Sequence, residues 1–207
     1  MHSRPAVALG LLVSATLLAG CSGEPGNPSP STSAAPPSST GRPFGAPSVP
    51  TPLDPAALEK DPCAAMTADQ VASLGAPLKG TVPQPDDPTG PSCGWRFATD
   101  DAPSSVSGTV FTKDPSHGGI SGLYGQKQAG GVTRFEAFSA NGYPGVVYNA
   151  SSNPPPGSCA LAVGLRDDLT YTISVSLDAL KQPFADSCEV GKKVAGYVIQ
   201  YLQKGGH

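Results

Sequence analysis

Charge is scarce in this chain: of 207 residues only 14% are Asp, Glu, Lys or Arg, and the net charge is −3. No basic run occurs, so the electrostatic footprint of a nucleic-acid binder is missing. Aromatic residues make up 6%, and there are three histidines. The cysteines form no C-x-x-C pair and have no clustered histidines beside them, which excludes the usual zinc pattern. No metal or cofactor is therefore expected. The apolar run Ala6–Leu18 falls short of the roughly 20 residues a bilayer span requires. Glycine and proline, by contrast, are abundant, with 25 and 24 residues. A globular domain carries about 12% of the two together, so part of this chain should be unpacked.

That surplus is concentrated near the start. Residues 1–20 read as a signal segment, with Arg4 ahead of the apolar run. The run ends in Leu18-Ala19-Gly20-Cys21, which matches the bacterial lipoprotein box. The match implies cleavage before Cys21, diacylglycerol on its thiol and often an acyl chain such as palmitate on the new amine. Two or three acyl chains hold far better than one, so the mature protein is expected on the outer face of the cell membrane. Residues 21–52 follow as a tether: Ser22–Pro52 holds nine Pro, seven Ser, three Thr and four Gly. Such a stretch buries too little surface to offset its ordering entropy and is expected to be disordered with polyproline character. A spacer explains the composition, and O-linked sugars on Ser31, Thr32, Ser38, Ser39 and Thr40 would fit it as well.

Residues 53–207 have the length of one domain, and they contain Cys63, Cys93, Cys159 and Cys188. In an exported chain four cysteines imply two disulfides, with three connectivities open. Local pattern selects one. Leu169, Tyr171, Ile173 and Val175 alternate with Thr and Ser, and Cys159, Leu161, Val163 and Leu165 alternate with Ala and Gly. Both sets share a face only if paired residue numbers sum to an even value, which sets Leu165 against Leu169 across a loop Arg166–Asp168. A terminal helix from about Ala185 to Gln203 carries Val190, Val194, Val198 and Leu202 on one stripe, with Cys188 in its first turn. Cys159–Cys188 follows, and Cys63–Cys93 by elimination.

Other elements are readable locally. Asp54-Pro55 opens a short helical turn, and Thr67-x-x-Gln70 is a capping box before Val71 and Leu74. A glycine-rich helix after Asp114-Pro115 would present Ile120, Leu123 and Tyr124. Strands are expected at Cys93–Phe97, Val106–Lys113, Thr133–Phe138 and Gly145–Asn149. The predicted fold class is α+β: a mainly antiparallel sheet with helices packed on one face and two disulfides.

Several of these residues also carry a family likeness. Leu53-Asp54-Pro55, Asp61-Pro62-Cys63-Ala64-Ala65-Met66-Thr67, Cys93-Gly94-Trp95, Phe135-Glu136, Gly142-Tyr143-Pro144 and the Cys188 helix together resemble a family of actinobacterial lipoproteins. The resemblance implies secretion, a lipid anchor and structural cysteines, and its domain has no assigned function. Gly145 stands where the resemblance leads one to expect alanine.

Candidate chemistry is thin. Gly90-Pro91-Ser92-Cys93-Gly94 matches the nucleophile elbow G-x-S-x-G but precedes a strand rather than a helix. Ser116-His117-Gly118-Gly119 has glycine where a transpeptidase signature needs its cysteine, so no acyl-enzyme can form there. Asp86-Asp87, Asp100-Asp101 and Asp167-Asp168 fall in expected turns, where Asp is favoured for bonding its own backbone. Trp95 shares a strand face with Cys93 and Phe97 and is assigned to the core. Tyr143 and Tyr148, near the Asn141-Gly142 turn and the loop Asn153–Pro156, are the candidate ligand contacts. The expected function is a non-catalytic binding domain in the cell envelope, its partner the wall, a protein or a small apolar ligand. The alternatives are a carrier of lipid or another apolar molecule, with a pocket under the terminal helix, and a wall hydrolase.

Overall fold

In a computed structural model the described residues are 42–98, 103–112, 118–177 and 186–207, all within the unit Ser39–His207. Period-two alternation sets the architecture. Seven strands form one sheet: β1 (Leu78–Gln84), β2 (Ser92–Phe97), β3 (Ser105–Val110), β4 (Arg134–Ala140), β5 (Tyr143–Asn149), β6 (Ser158–Arg166) and β7 (Leu169–Ser176). Their order is β1-β2-β3-β7-β6-β5-β4, and every neighbouring pair is antiparallel. Two meanders therefore meet at the β3–β7 seam, and the expected α+β class with its two disulfides is present.

The β6–β7 ladder obeys the parity argument along its length: Cys159 faces Val175, Leu161 faces Ile173 and Val163 faces Tyr171. Only the tip departs from it. After Gly164 opposite Thr170 the register slips and Arg166 pairs with Leu169, so the loop shortens to Asp167-Asp168. Leu165 becomes a buried bulge residue. Its carbonyl accepts the Leu53 N–H at 2.9 Å, a bond to another part of the chain.

Four helices accompany the sheet: α1 (Ala56–Lys60), α2 (Ala68–Ala72), α3 (Gly119–Gln128) and α4 (Ser187–Gln203). Asp54 accepts the Ala56 N–H at the start of α1. Both halves of the capping box at α2 form, Gln70 N–H to Thr67 Oγ1 and Thr67 N–H to Gln70 Oε1. Asp186 caps α4 by accepting the N–H groups of Cys188 and Glu189. Val190, Val194, Val198 and Leu202 are all buried, in one cluster with Leu161, Val163, Ile173 and Val175. Gly191 is the point of closest approach, since a Cβ there would overlap Leu161. Cys159–Cys188 and Cys63–Cys93 are both formed, with Cα–Cα distances of 5.2 and 5.1 Å.

The alternation of β6 and β7 did not signal what happens on the opposite face. There α3 packs Ile120 and Leu123 onto Val146 and Ala162, forming a second, smaller cluster that includes Ala46. Residues 42–52, placed in the tether by composition, belong to this fold. Arg42 pairs with Asp167, Asp167 also accepts the Val49 N–H at 3.0 Å, and Ala46 and Val49 are buried. Phe44 takes a positive φ of 61° and lays its ring where any side chain at Gly125 would stand. These anchors are isolated among prolines, without the periodicity that marks an element.

Candidate binding site

The side chains singled out from sequence do not converge. Cys21, His117 and Asp100-Asp101 lie outside the described residues. Ser92 is a buried residue at the start of β2, and its neighbour Cys93 is in a disulfide, so the G-x-S-x-G match is no elbow. Asp87 accepts from Thr89 N–H at 2.9 Å and from its hydroxyl at 2.6 Å, the turn role expected of it. Asp168 pairs with Arg166. Among the described residues no group of three His, Cys, Asp or Glu is placed to hold a metal ion. Trp95 is fully buried, as assigned; its Nε1, like the Tyr171 hydroxyl, has no hydrogen-bond partner among the described residues.

The two tyrosines part company. They stand five positions apart on β5, so their side chains leave opposite faces of the sheet. Tyr143 is 4% exposed and its hydroxyl donates to the Thr51 carbonyl at 2.8 Å, which clamps the N-terminal lead to the sheet. It is a core residue rather than the open surface expected of it. Tyr148 is half-buried against the α3 cluster and lines a cleft of about 240 Å³. Burial raises its phenol above the ordinary tyrosine range, so it stays neutral and able to donate.

That cleft sits where the ends of β4, β5 and β6 meet the loop 150–157. Thr133, Arg134, Asn149, Ser151 and Ser158 supply its polar wall, and Cys159 its floor beside the second disulfide. The loop braces itself: Ser151 N–H donates to Asn149 Oδ1 at 2.9 Å, Thr133 Oγ1 to the Ser151 carbonyl at 2.7 Å, and Ser158 Oγ to the Pro155 carbonyl at 2.6 Å. Arg134 reaches across it. One guanidinium nitrogen lies 3.1 Å from Cys188 Sγ and another 3.1 Å from Glu136, whose second oxygen binds Lys192 at 2.9 Å. The hydrogen bonds from Lys192 and Arg134 lower the Glu136 carboxyl below its ordinary value, and those to Glu136 and Glu189 raise Lys192. Arg134, Asn149 and Ser158 were not foreseen, although the Asn-x-Ser spacing at 149–151 is a readable turn signal.

The description of one protein family, a protein of unknown function designated DUF3558, matches residues 16–201. The chain belongs to the DUF3558 family. No curated protein and no solved structure matches it. The cysteine before a capped helix, which carried the resemblance seen in the sequence, is in this DUF3558 domain a staple between the α2 entry and β2. Gly145 is accounted for by packing: it faces Phe138 across the β4–β5 ladder, and a Cβ there would enter the Phe138 ring. A wider, shallow depression of about 430 Å³ lies along α4. Four of its six lining residues bond one another, Ser73 with the Tyr197 hydroxyl and Asn141 with the Gly196 carbonyl, each at 2.8 Å.

Proposed function

We propose that this DUF3558 protein is an envelope lipoprotein, held on the outer face of the membrane through acyl chains on Cys21. In this reading its stapled domain is a non-catalytic binding module. The observation that carries the binding role is the Tyr148 cleft, a single concavity lined by Tyr148, Arg134 and several Ser and Thr residues. The carrier reading placed its pocket between the sheet and the terminal helix. Gly191 against Leu161, with Val194 and Val198 fully buried, leaves that interface close-packed.

The test is mass measurement on the intact protein purified from its own membrane. A denatured mass that includes acyl chains on Cys21 and two disulfides is expected; a chain with an unmodified Cys21 removes the anchor. For binding, Tyr148→Ala and Arg134→Gln should each release a bound species seen in the native mass, or weaken retention of a cross-linked partner, at least tenfold. Unchanged retention in both variants rules the cleft out.

A further inference from the structure

The register of the sheet defines one continuous row on the face away from α4. Phe135 lies opposite Tyr148, Tyr148 opposite Ala160, Ala160 opposite Ser174, Ser174 opposite Ser107, and Ser107 opposite Gly94. The row starts at the α3 cluster, where Phe135 meets Tyr124 edge-on at 4.9 Å, and its next member, Tyr148, also lines the cleft. It then crosses the centre of the sheet. Neighbouring rows repeat the chemistry there, Ser105 opposite Ser176 on one side and Thr109 opposite Thr172 on the other.

Three features of this face point to one kind of occupant. It is a lattice of hydroxyls: strands stand about 4.8 Å apart, so three steps from Tyr148 to Ser107 span roughly 14 Å. Its centre is uncharged, because neither β3 nor β7 contains an Asp, Glu, Lys or Arg. Those hydroxyls are also unspent: Ser107, Ser174 and Ser176 are exposed, and none of their side chains hydrogen-bonds among the described residues. A Ser or Thr hydroxyl both donates and accepts, directly or through an ordered water. An anionic polymer would want a run of cations along its track, and Arg96, exposed opposite Ser105, is the single cation that β2, β3 and β7 carry. A protein interface would want buried aromatic or arginine anchors at its middle, and here the aromatics stand at one end.

We propose that this face and the cleft together bind a neutral polysaccharide of the cell envelope. The chain would lie across β6, β7 and β3, with the ring edge of Tyr148 against a sugar at the cleft end. This rests on the binding-module reading and gives that module its ligand class. It also places the polysaccharide track on the side of the sheet that carries α3 and the Arg42–Val49 lead, with the cleft at the sheet's edge, where Arg134 and Cys159 come in from the α4 side.

The test uses the full-length lipoprotein in detergent micelles, with dextran, laminarin and arabinogalactan as neutral probes and polygalacturonate as the anionic comparison. Affinity electrophoresis reads the binding. Ser174→Glu puts a charge in the middle of the row, and Ser107→Ala with Ser174→Ala removes two hydroxyls without adding bulk. All are at exposed positions, and an unchanged thermal midpoint shows that the fold is kept. Expected is retardation by at least one neutral probe, weakened tenfold or more by Ser174→Glu and measurably by the double alanine variant. Retardation by polygalacturonate alone, equal retardation of wild type and Ser174→Glu, or no retardation by any neutral probe overturns the proposal. A non-carbohydrate species released from the Tyr148 cleft would leave the binding module standing while removing this ligand.

Discussion

Leu161 and Ala160 are consecutive residues on one strand, yet they belong to surfaces built on different physics. The α4 face is closed by Val, Leu, Ile and a fully buried Trp, drawn tight at Gly191 and stitched by Cys159–Cys188. The opposite face is Ser, Thr, Ala and Gly at its centre, and among the described residues α3 and the Arg42–Val49 lead cover one end of it. Burial of apolar area stabilises by about 25 cal/mol per Å², so the first face supplies most of the folding free energy. The second is released from that duty and can be shaped for contact with something else. A sheet that needed both faces for stability could not leave a row of hydroxyls open across its middle.

The sharpest way to break the comparison is to truncate one residue on each face of the same ladder. Leu161→Ala should lower the unfolding free energy by about 3 kcal/mol, because the surroundings of a fully buried leucine relax only in part. Ser174→Ala, exposed on β7, should stay within about 0.5 kcal/mol. Urea denaturation of the two variants decides it. Equal losses would mean that the hydroxyl face carries stability after all.

Legibility in the sequence followed the same divide. Where large apolar residues alternate over eight or nine positions, as in β6 and β7, parity fixed the register and the register oriented Cys159 toward the α4 stripe. Capping chemistry at Thr67–Gln70 was equally local and equally readable. The misses are of another kind. Strand β1, Leu-Lys-Gly-Thr-Val-Pro-Gln, lies at the sheet edge, exposed on one side and interrupted by Gly80 and Pro83. Such a strand is recognised by its partner β2 more than by its own pattern. The turn beside Tyr143 suggests an open surface, but parity along β5 sends it inward. The cleft is half-legible: Tyr148 stands out beside its loop, whereas Arg134 and Ser158 come to it from strands β4 and β6, a juxtaposition set by sheet order alone.

The N-terminal lead tests where the open face begins. Asp167 holds it twice, through Arg42 and through the Val49 N–H. Asp167→Ala should cost about 1 kcal/mol, since the ion pair is partly exposed and the N–H regains water when the lead lifts. The more telling readout is limited proteolysis. Cleavage between Arg42 and Thr51 should speed up severalfold while the sheet stays intact. An unchanged cleavage rate would show that Phe44, Ala46 and Val49 hold the lead without the carboxylate.

The smallest expected effect concerns the ion cluster at the β4 edge, where the two faces meet at the cleft. Lys192 and Arg134 hold the Glu136 carboxyl below its ordinary value of 4.5 by hydrogen bonding. A carboxyl whose folded pKa is depressed contributes stability above its unfolded pKa and loses it as pH falls through the folded one. Lys192, raised above 10.5, keeps its share at lower pH and gives it up as pH rises through its folded value. The cluster is therefore complete in the broad window between the two ordinary values. Glu136→Gln should lower the thermal midpoint slightly at neutral pH, and the gap to wild type should close on acidification below 4.5. Glu136 is exposed and salt screens it, so the gap should also shrink at high ionic strength. A gap that persisted at acid pH would mean the variant acts through packing, with Arg134 losing its position beside Cys188 rather than a charge partner.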